Sequence, residues 1–293
     1  MGKVYGIDLG TTYSVIATVD DRTGLPRVID NDVDNTPTLP SAVYFPENES
    51  DGFVVGNDAK LQAEIEPDRV VQFVKREIGK QDGKVYEFYG KKFDPIMISS
   101  IILKRIKEYA DAQGEDVHDV IITCPANFGI SEKTATRQAG EIAGFNVLNI
   151  IHEPTAAALY YMAKEFPEDR TILVYDLGGG TFDISLAKIT SQGSGDDAVM
   201  SVDIIDSKGD DHLGGADWDQ RLFDIVWSKF LDEIGEDEDD IEQLDVVKAG
   251  VYGQIEDAKK RLTNFPNRNV SIAYSGGNIP ITITRDEFVE ATK

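Results

Sequence analysis

Short apolar runs and longer stretches with helical spacing take turns along this chain. Val4 to Leu9 and Ser14 to Val19 read as strands, because both runs are short, rich in β-branched residues and separated by glycine and threonine. Asn35, Thr36, Pro37 and Pro40 then break the pattern, Ser41 to Phe45 is extended, and Asn48 to Gly52 makes a turn. A small inserted subdomain over about 38–94 is expected. Pro95 suits the first position of a helix whose apolar face carries Ile98, Ile101, Ile102, Ile106 and Tyr109 and which stops at Gly114. Asp119 to Thr123 is a short buried strand, Ser131 is expected to cap a helix that Gly144 ends, and Leu148 to Ile151 is the next strand. Pro154 opens a helix over Thr155 to Lys164.

The second half restarts the same pattern. Thr171 to Asp176, Asp183 to Ile189 and Val199 to Asp206 are strand-like, and helices follow over about 217–234 and 242–262. Trp218, Leu222, Ile225, Val226 and Phe230 give the first of these helices a face to pack, and the acidic run Glu236 to Asp240 reads as a solvated connection. A hairpin at Ser275-Gly276-Gly277-Asn278 and a helix opening at Asp286 finish the chain. Strands alternating with helices place it in the α/β class.

One phrase occurs twice. Tyr5-Gly6-Ile7-Asp8-Leu9-Gly10-Thr11-Thr12 is matched by Val174-Tyr175-Asp176-Leu177-Gly178-Gly179-Gly180-Thr181. In each, an apolar strand ends in Asp and runs into a hairpin of glycine and threonine, which offers a carboxylate, backbone N–H groups and hydroxyls to a phosphate chain. Asp8 and Asp176 are 168 residues apart, too far for a solenoid repeat, so the spacing predicts duplication of a half-molecule and two lobes. Neither a Walker A loop nor a G-x-G-x-x-G after a strand is present.

Composition narrows the partners. A formal net charge of −24 repels nucleic acid and anionic membranes, so a bound polyanion needs a local pocket with its own cations. The single Cys124 forms no internal disulfide, and no long apolar run follows the N-terminus, which together fit a cytoplasmic protein that binds neither nucleic acid nor membrane. His152 has no ligand-spaced partner in His118 or His212.

Beyond the two hairpins, Lys75-Arg76-Glu77-Ile78-Gly79, Ile150-Ile151-His152-Glu153-Pro154-Thr155-Ala156-Ala157-Ala158, Asp176 to Asp183, and Asp211-His212-Leu213-Gly214-Gly215-Ala216-Asp217 appear in one order along the chain. In these motifs the chain resembles the nucleotide-binding domain of the Hsp70 chaperones. The resemblance implies the actin-like ATPase fold, a duplicated ribonuclease H-like motif with two lobes around a nucleotide cleft: lobe I over 1–170 and lobe II over 171–293, the latter with a partial core at about 171–208 and an inserted subdomain at about 209–293. It implies ATP or ADP with Mg²⁺ as ligands and ATP hydrolysis that drives chaperone conformational change. Asp8, Asp176 and Asp183 would hold the metal, largely through waters. Lys75, Glu153, Asp176 and Thr181 would be catalytic, Gly10, Thr11, Thr12, Gly179, Gly180 and Thr181 would cradle the phosphates, and Tyr13, Gly178, Gly214 and Gly215 would also bind the nucleotide. Glu256, Lys259, Lys260 and Thr263, spaced along one helix face, would take the adenosine.

The departures from the family pattern concern partners more than chemistry. Lysine at position 260 lacks the planar guanidinium of the usual arginine, which weakens stacking on the base. Pro125 matches the residue that relays nucleotide state, but Lys133 replaces a relaying arginine and Asn127 a usual aromatic. Asn149 and His152 stand where Arg and Asn usually contact J-domain cochaperones. Asn149 cannot make a bidentate ion pair, so an ordinary J-domain is not expected to dock, whereas peptide clients and a nucleotide exchange factor remain implied for the complete protein. In the family a second glycine-rich adenosine segment and a peptide-binding domain follow. Neither lies in these 293 residues, so the second lobe is expected to be incomplete. The alternative reading is another actin-superfamily ATPase or a sugar-kinase-like phosphotransferase.

Overall fold

The structure, a computed structural model, describes residues 2–165, 169–192 and 199–293. It opens with three antiparallel strands, β1 (Val4–Asp8), β2 (Tyr13–Val19) and β3 (Pro26–Val28), in which Ile7 lies opposite Ile16. Tyr5, Ile7 and Leu9 are buried and their neighbours are not, the alternation of a strand with one face on a core. The insertion follows. Strand β4 (Leu39–Pro40) pairs with β2, and β5 (Val43–Tyr44) is flanked by β6 (Val54–Val55) and, beyond helix α1 (Asn57–Gln62), by β7 (Val70–Val71). A hairpin of β8 (Tyr86–Phe88) and β9 (Lys91–Phe93) completes it, with Phe45 stacked on Phe88 at 3.9 Å.

Helix α2 (Pro95–Ala112) starts where the sequence predicts, since the Asp94 side chain accepts a hydrogen bond from the Met97 N–H at 2.8 Å and Pro95 needs no acceptor. Its buried residues Ile98, Ile102, Leu103, Ile106 and Tyr109 join β1, β2 and β10 (Asp119–Cys124) in one core. Helix α3 (Ile130–Ile142), strand β11 (Asn146–His152) and helix α4 (Glu153–Glu165) follow. Because β10 runs parallel to β1, and β11 parallel to β10, the sheet order is β11-β10-β1-β2-β3 and β1 is interior. At α3 the expected cap is wrong: Ser131 does not cap the helix. Gly129 holds the cap position, without any side-chain bond, and Ser131 lies inside the first turn.

The second half repeats the opening hairpins as β12 (Arg170–Leu177), β13 (Phe182–Gln192) and β14 (Val199–Asp210), all antiparallel. Helix α4 packs across one face of this sheet. The other face is open, with Leu173 at 64% and Tyr175 at 63% exposure, and β12 is an edge strand. A separate core follows, formed by α5 (Gly215–Ile234), α6 (Leu244–Leu262) and the hairpin β15 (Asn267–Tyr274)–β16 (Gly277–Thr284), with α7 (Arg285–Ala291) alongside. Leu222, Val226 and Phe230 of α5 are buried there as expected; Trp218 is only partly covered. The acidic run is anchored rather than merely solvated: Glu238 accepts from Trp227 Nε1 at 3.0 Å and pairs with Lys248, and Glu236 accepts from the Tyr274 hydroxyl.

Helix α3 lies so close to the sheet that a Cβ at Gly140 would sit 2.7 Å from Val147 Cγ2 and 2.8 Å from Ile122 Cδ1. Alanine there should be nearly neutral, since a helix-propensity gain of about 1 kcal/mol offsets modest crowding. Gly140→Val should cost about 2 kcal/mol or more, because a branched side chain cannot be absorbed by two methyl tips. Urea unfolding of the two variants checks this, and equal midpoints would contradict the close packing.

Candidate functional site

Strand pairing sets the first carboxylate. In the parallel β1/β10 register Ile7 lies beside Ile122, which brings Thr123 alongside Asp8, and Thr123 Oγ1 donates to Asp8 Oδ1 at 2.7 Å. Lys75 comes from the insertion. A left-handed Phe73, with φ of 59°, turns the chain into the short helical turn Val74–Glu77, which sends Val74 and Lys75 inward. Glu153 begins α4 where β11 ends. Lys75 Nζ lies 2.5 Å from Glu153 Oε1, and the lysine side chain is 6% exposed, so the pair is buried.

Charge accumulates around that pair. Burial pushes Glu153 up to about 7; the Lys75 ammonium opposes this and the Asp8 carboxylate adds to it. Burial acts to depress Lys75, but the charges of Glu153 and Asp8 outweigh it and keep the ammonium protonated above its ordinary range. Asp176 on β12 is raised by burial and then by Asp8. Asp183, opposite Asp176 on β13, is raised by burial and then by Asp176 and Asp211. Asp183 occupies space that Gly209 leaves free, since a Cβ at 209 would lie 2.5 Å from its Oδ1, and that oxygen is buried without a hydrogen-bond partner.

The two repeated hairpins face each other and touch. A Cβ at Gly179 would meet Thr12 Oγ1 at 1.8 Å, and one at Gly180 would meet Thr11 Cγ2 at 2.3 Å, so glycine is required by contact across the cleft. Gly10 is likewise closed in, by the Tyr13 carbonyl at 2.0 Å from its would-be Cβ. Thr12 Oγ1 is a second buried atom without a partner. Gly178 N–H donates to the Thr181 carbonyl at 2.9 Å and closes the second hairpin. Gly214 and Gly215 lie behind it: Gly215 N–H donates to the Gly178 carbonyl at 3.0 Å and Ala216 N–H to the Gly179 carbonyl at 2.8 Å.

Helix α6 closes one end of the cleft. Glu256 Oε1 accepts from the Tyr13 hydroxyl at 3.1 Å and lies 2.7 Å from Lys260, while Oε2 pairs with Lys60 of α1. Burial would raise Glu256, but hydrogen bonds from Lys260 and Lys60 hold it at about 2. Lys259 donates to the Gly215 carbonyl at 2.7 Å and sits 2.7 Å from Asp219, tying α6 to α5. Lys260 projects outward, and Thr263 is exposed at the end of α6. A separate hollow of about 540 Å³ near Ser228, Leu231 and Gly235 contains none of these groups.

Asp8, Lys75, Glu153, Asp176 and Asp183 therefore share one electrostatic environment, with the hairpins beside them and Tyr13 reaching α6. Thr123 and Lys60, which lie in no motif, and Asp217, which ends a motif without a role assigned to it, serve the same cleft. Their partners are 115, 196 and 141 residues away, distances at which local spacing carries no signal. Among the described residues no group of three or more His, Cys, Asp or Glu is close enough to hold a metal directly, and no helix is long and apolar enough to cross a membrane.

A duplicated strand-hairpin unit on either side of a carboxylate-lined cleft, within mixed α/β layers, is the actin-like ATPase fold. The family model described as Hsp70 protein matches residues 4–86 and 80–293, and the chain belongs to the Hsp70 family, as an ATPase-domain-like member.

The buried pair gives a titration that can be read directly. A folded-state value near 7 for Glu153 lies above that of an unfolded glutamate, so its contribution is fully present below about pH 4.3 and is lost as pH rises through 7, about 4 kcal/mol in all. Carboxyl NMR should show Glu153 titrating near 7. In Lys75→Met the midpoint should move upward by about one pH unit, because a stabilising cation is gone. A Glu153 midpoint below about 5, close to that of a solvated glutamate, would contradict the buried geometry.

Proposed function

We propose that this chain binds ATP together with Mg²⁺ between its two hairpins and hydrolyses it, as the ATPase domain of an Hsp70-type chaperone. The observation that carries the reading is that two of the five buried side-chain atoms without a hydrogen-bond partner among the described residues, Thr12 Oγ1 and Asp183 Oδ1, lie beside the buried Lys75–Glu153 pair. Buried polar atoms without partners are uncommon in folded proteins because each forfeits its hydration, and a ligand that supplies the missing partner removes that cost.

The donor set suits a hard, hydrated cation. Asp8, Asp176 and Asp183 offer carboxylate oxygens, and their spacing favours a metal held through its own waters rather than by three direct bonds. When bound, Mg²⁺ would neutralise phosphate charge. Lys75 places a permanent positive charge where the terminal phosphoryl group would lie, and phosphoryl transfer depends mainly on such positioning and neutralisation. Glu153, titrating near 7, can accept a hydrogen bond from water or hold a proton close to neutral pH. Thr181 and Thr12 add hydroxyls, and the N–H groups of Gly10 to Thr12 and Gly179 to Thr181 face the phosphates without side chains in the way. Glu256, Lys259, Lys260 and Thr263 take the adenosine; both Glu256 oxygens already have partners, so ribose hydroxyls compete with Lys60 and Tyr13.

In this reading lobe I spans 1–170, with its insertion at 38–94, and lobe II spans 171–293. β1 lies between β10 and β2, with β11 beyond β10, whereas no strand covers the outer edge of β12 among the described residues. The sheet of lobe II is thus open at β12 among the described residues, and ATP is held more by its phosphates than by its base. The chaperone as a whole would act in the cytoplasm on unfolded peptides with a nucleotide exchange factor. Asn149, exposed on β11 with its side chain turned to the Ile150 N–H, argues against an ordinary J-domain contact.

Phosphate release from ATP is the direct test. The chain should turn over ATP slowly, and Lys75→Ala and Asp176→Asn should each lose about 100-fold or more, the scale for removing one fixed charge from a transition state. Equal rates in the native chain and Lys75→Ala would overturn the assignment.

A further inference from the structure

Arg76 is not part of the phosphate chemistry assigned above, yet its side chain makes three hydrogen bonds across the cleft. Its Nε donates to the Gly180 carbonyl at 3.0 Å, Nη1 to Asp217 Oδ1 at 3.2 Å and Nη2 to Asp217 Oδ2 at 2.5 Å. The guanidinium is largely buried and pairs with Asp217 in the bidentate geometry that only arginine provides. Arg76 follows Lys75 in the same turn, whereas Gly180 and Asp217 lie on the second hairpin and the first turn of α5.

The bond to Gly180 completes a pattern. Three successive carbonyls of the hairpin each have a donor: Gly178 has Gly215 N–H, Gly179 has Ala216 N–H and Gly180 has Arg76. In a planar trans peptide the C=O and the next N–H point in opposite directions. Fixing each carbonyl therefore turns the N–H that follows it, of Gly179, Gly180 and Thr181 in turn, away from that carbonyl's donor, and none of the three donates to a protein group among the described residues. Successive free N–H groups on one side form an anion-binding concavity. The close backing is tight enough that a Cβ at Gly214 would lie 2.5 Å from Gly180 N.

We propose that Arg76 is a positioning residue for phosphate: it orients the Gly180–Thr181 peptide so that the third N–H of the nest faces the ligand, and it does so only while the two halves of the chain are closed. Two of the three carbonyl supports come from α5, within the second half. The third comes from the turn that carries Lys75. The nest and the Lys75 ammonium are thus brought into register by one side chain, and an opened cleft holds an anion with two oriented N–H groups instead of three.

This role for Arg76 rests on the ATPase reading, and two probes separate them. Calorimetry on the whole chain would compare inorganic tripolyphosphate, which needs only the nest and its cations, with adenosine, which needs neither. Arg76→Ala should weaken tripolyphosphate by about 10-fold to 100-fold, the value of one or two charge-assisted hydrogen bonds, and leave adenosine within about 2-fold. Arg76→Lys, which keeps the charge and guards against misfolding of the alanine variant, should still lose about 10-fold, because an ammonium cannot serve Asp217 and the carbonyl in the same fixed fork. Asp217→Asn should fall between the native chain and Arg76→Ala. Undiminished tripolyphosphate binding in both Arg76 variants would overturn the role of Arg76 alone, as would an equal loss for adenosine, the mark of a structural effect. A native chain that binds neither probe would overturn the ATPase reading and the role of Arg76 with it.

Discussion

An ammonium group buried against a carboxylate sets the terms for the whole cleft. Taking Lys75 and Glu153 out of water costs several kcal/mol per ion, and their attraction repays this only if the surroundings supply further stabilisation. Here Asp8 supplies it for Lys75, but the same carboxylate raises Glu153 and Asp176. Four carboxylates, Asp8, Glu153, Asp176 and Asp183, thus gather around one ammonium. The surplus is negative and falls where the two hairpins meet, which is the arrangement a hydrated divalent cation relieves and a bare anion does not. In a chain with a net charge of −24, a phosphate chain could be accepted at a point of that sign only together with such a cation.

Side chains and backbone divide the work between the two halves. The first half contributes fixed charge: Asp8 held by Thr123 on a neighbouring strand, Lys75 delivered by a turn, Glu153 at the first residue of a helix. The second half contributes mainly backbone, through glycines whose carbonyls are restrained from behind. Glycine serves two separate needs there. Gly179 and Gly180 leave room for Thr12 and Thr11 across the cleft, and Gly214 leaves room for the hairpin itself. Neither need arises from a left-handed backbone, since none of the three has a positive φ.

What the sequence makes legible follows from range. The hairpins, the start of α2 at Asp94 and Pro95, and the apolar face of α5 depend on residues a few positions apart, and all are visible as spacing. The cap of α3 is misread because Ser131 has the right chemistry for a cap while the backbone turns two residues earlier, at Gly129, where no side chain is needed. The anchoring of Glu236 and Glu238 is hidden because acidic runs look alike whether solvated or paired, and Trp227, Lys248 and Tyr274 reach them only in three dimensions. Lys75 is the sharpest case. Beside Arg76, and apart from the family resemblance, it reads more readily as a surface lysine, and the left-handed Phe73 turns it inward.

The two copies of the hairpin unit are equal in local form and unequal in support. β1 is an interior strand with Tyr5 and Ile7 in a large core, so Asp8 sits on a rigid platform. β12 is an edge strand with Leu173 and Tyr175 on an open face, so Asp176 and the glycine hairpin rest on a sheet packed from one side by α4. Regions with fewer buried apolar contacts open at lower free energy. Motion of the cleft should therefore occur by displacement of the second half against a fixed first half. The contacts that oppose it include, besides the Asn127–Asp211 hydrogen bond, two sets at the ends, Lys60 and Tyr13 to Glu256 at one and Arg76 to Asp217 and Gly180 at the other. Both sets draw their cations from the insertion between β4 and α2. That insertion thus acts as more than a decoration on the first sheet: it supplies the cations of both sets.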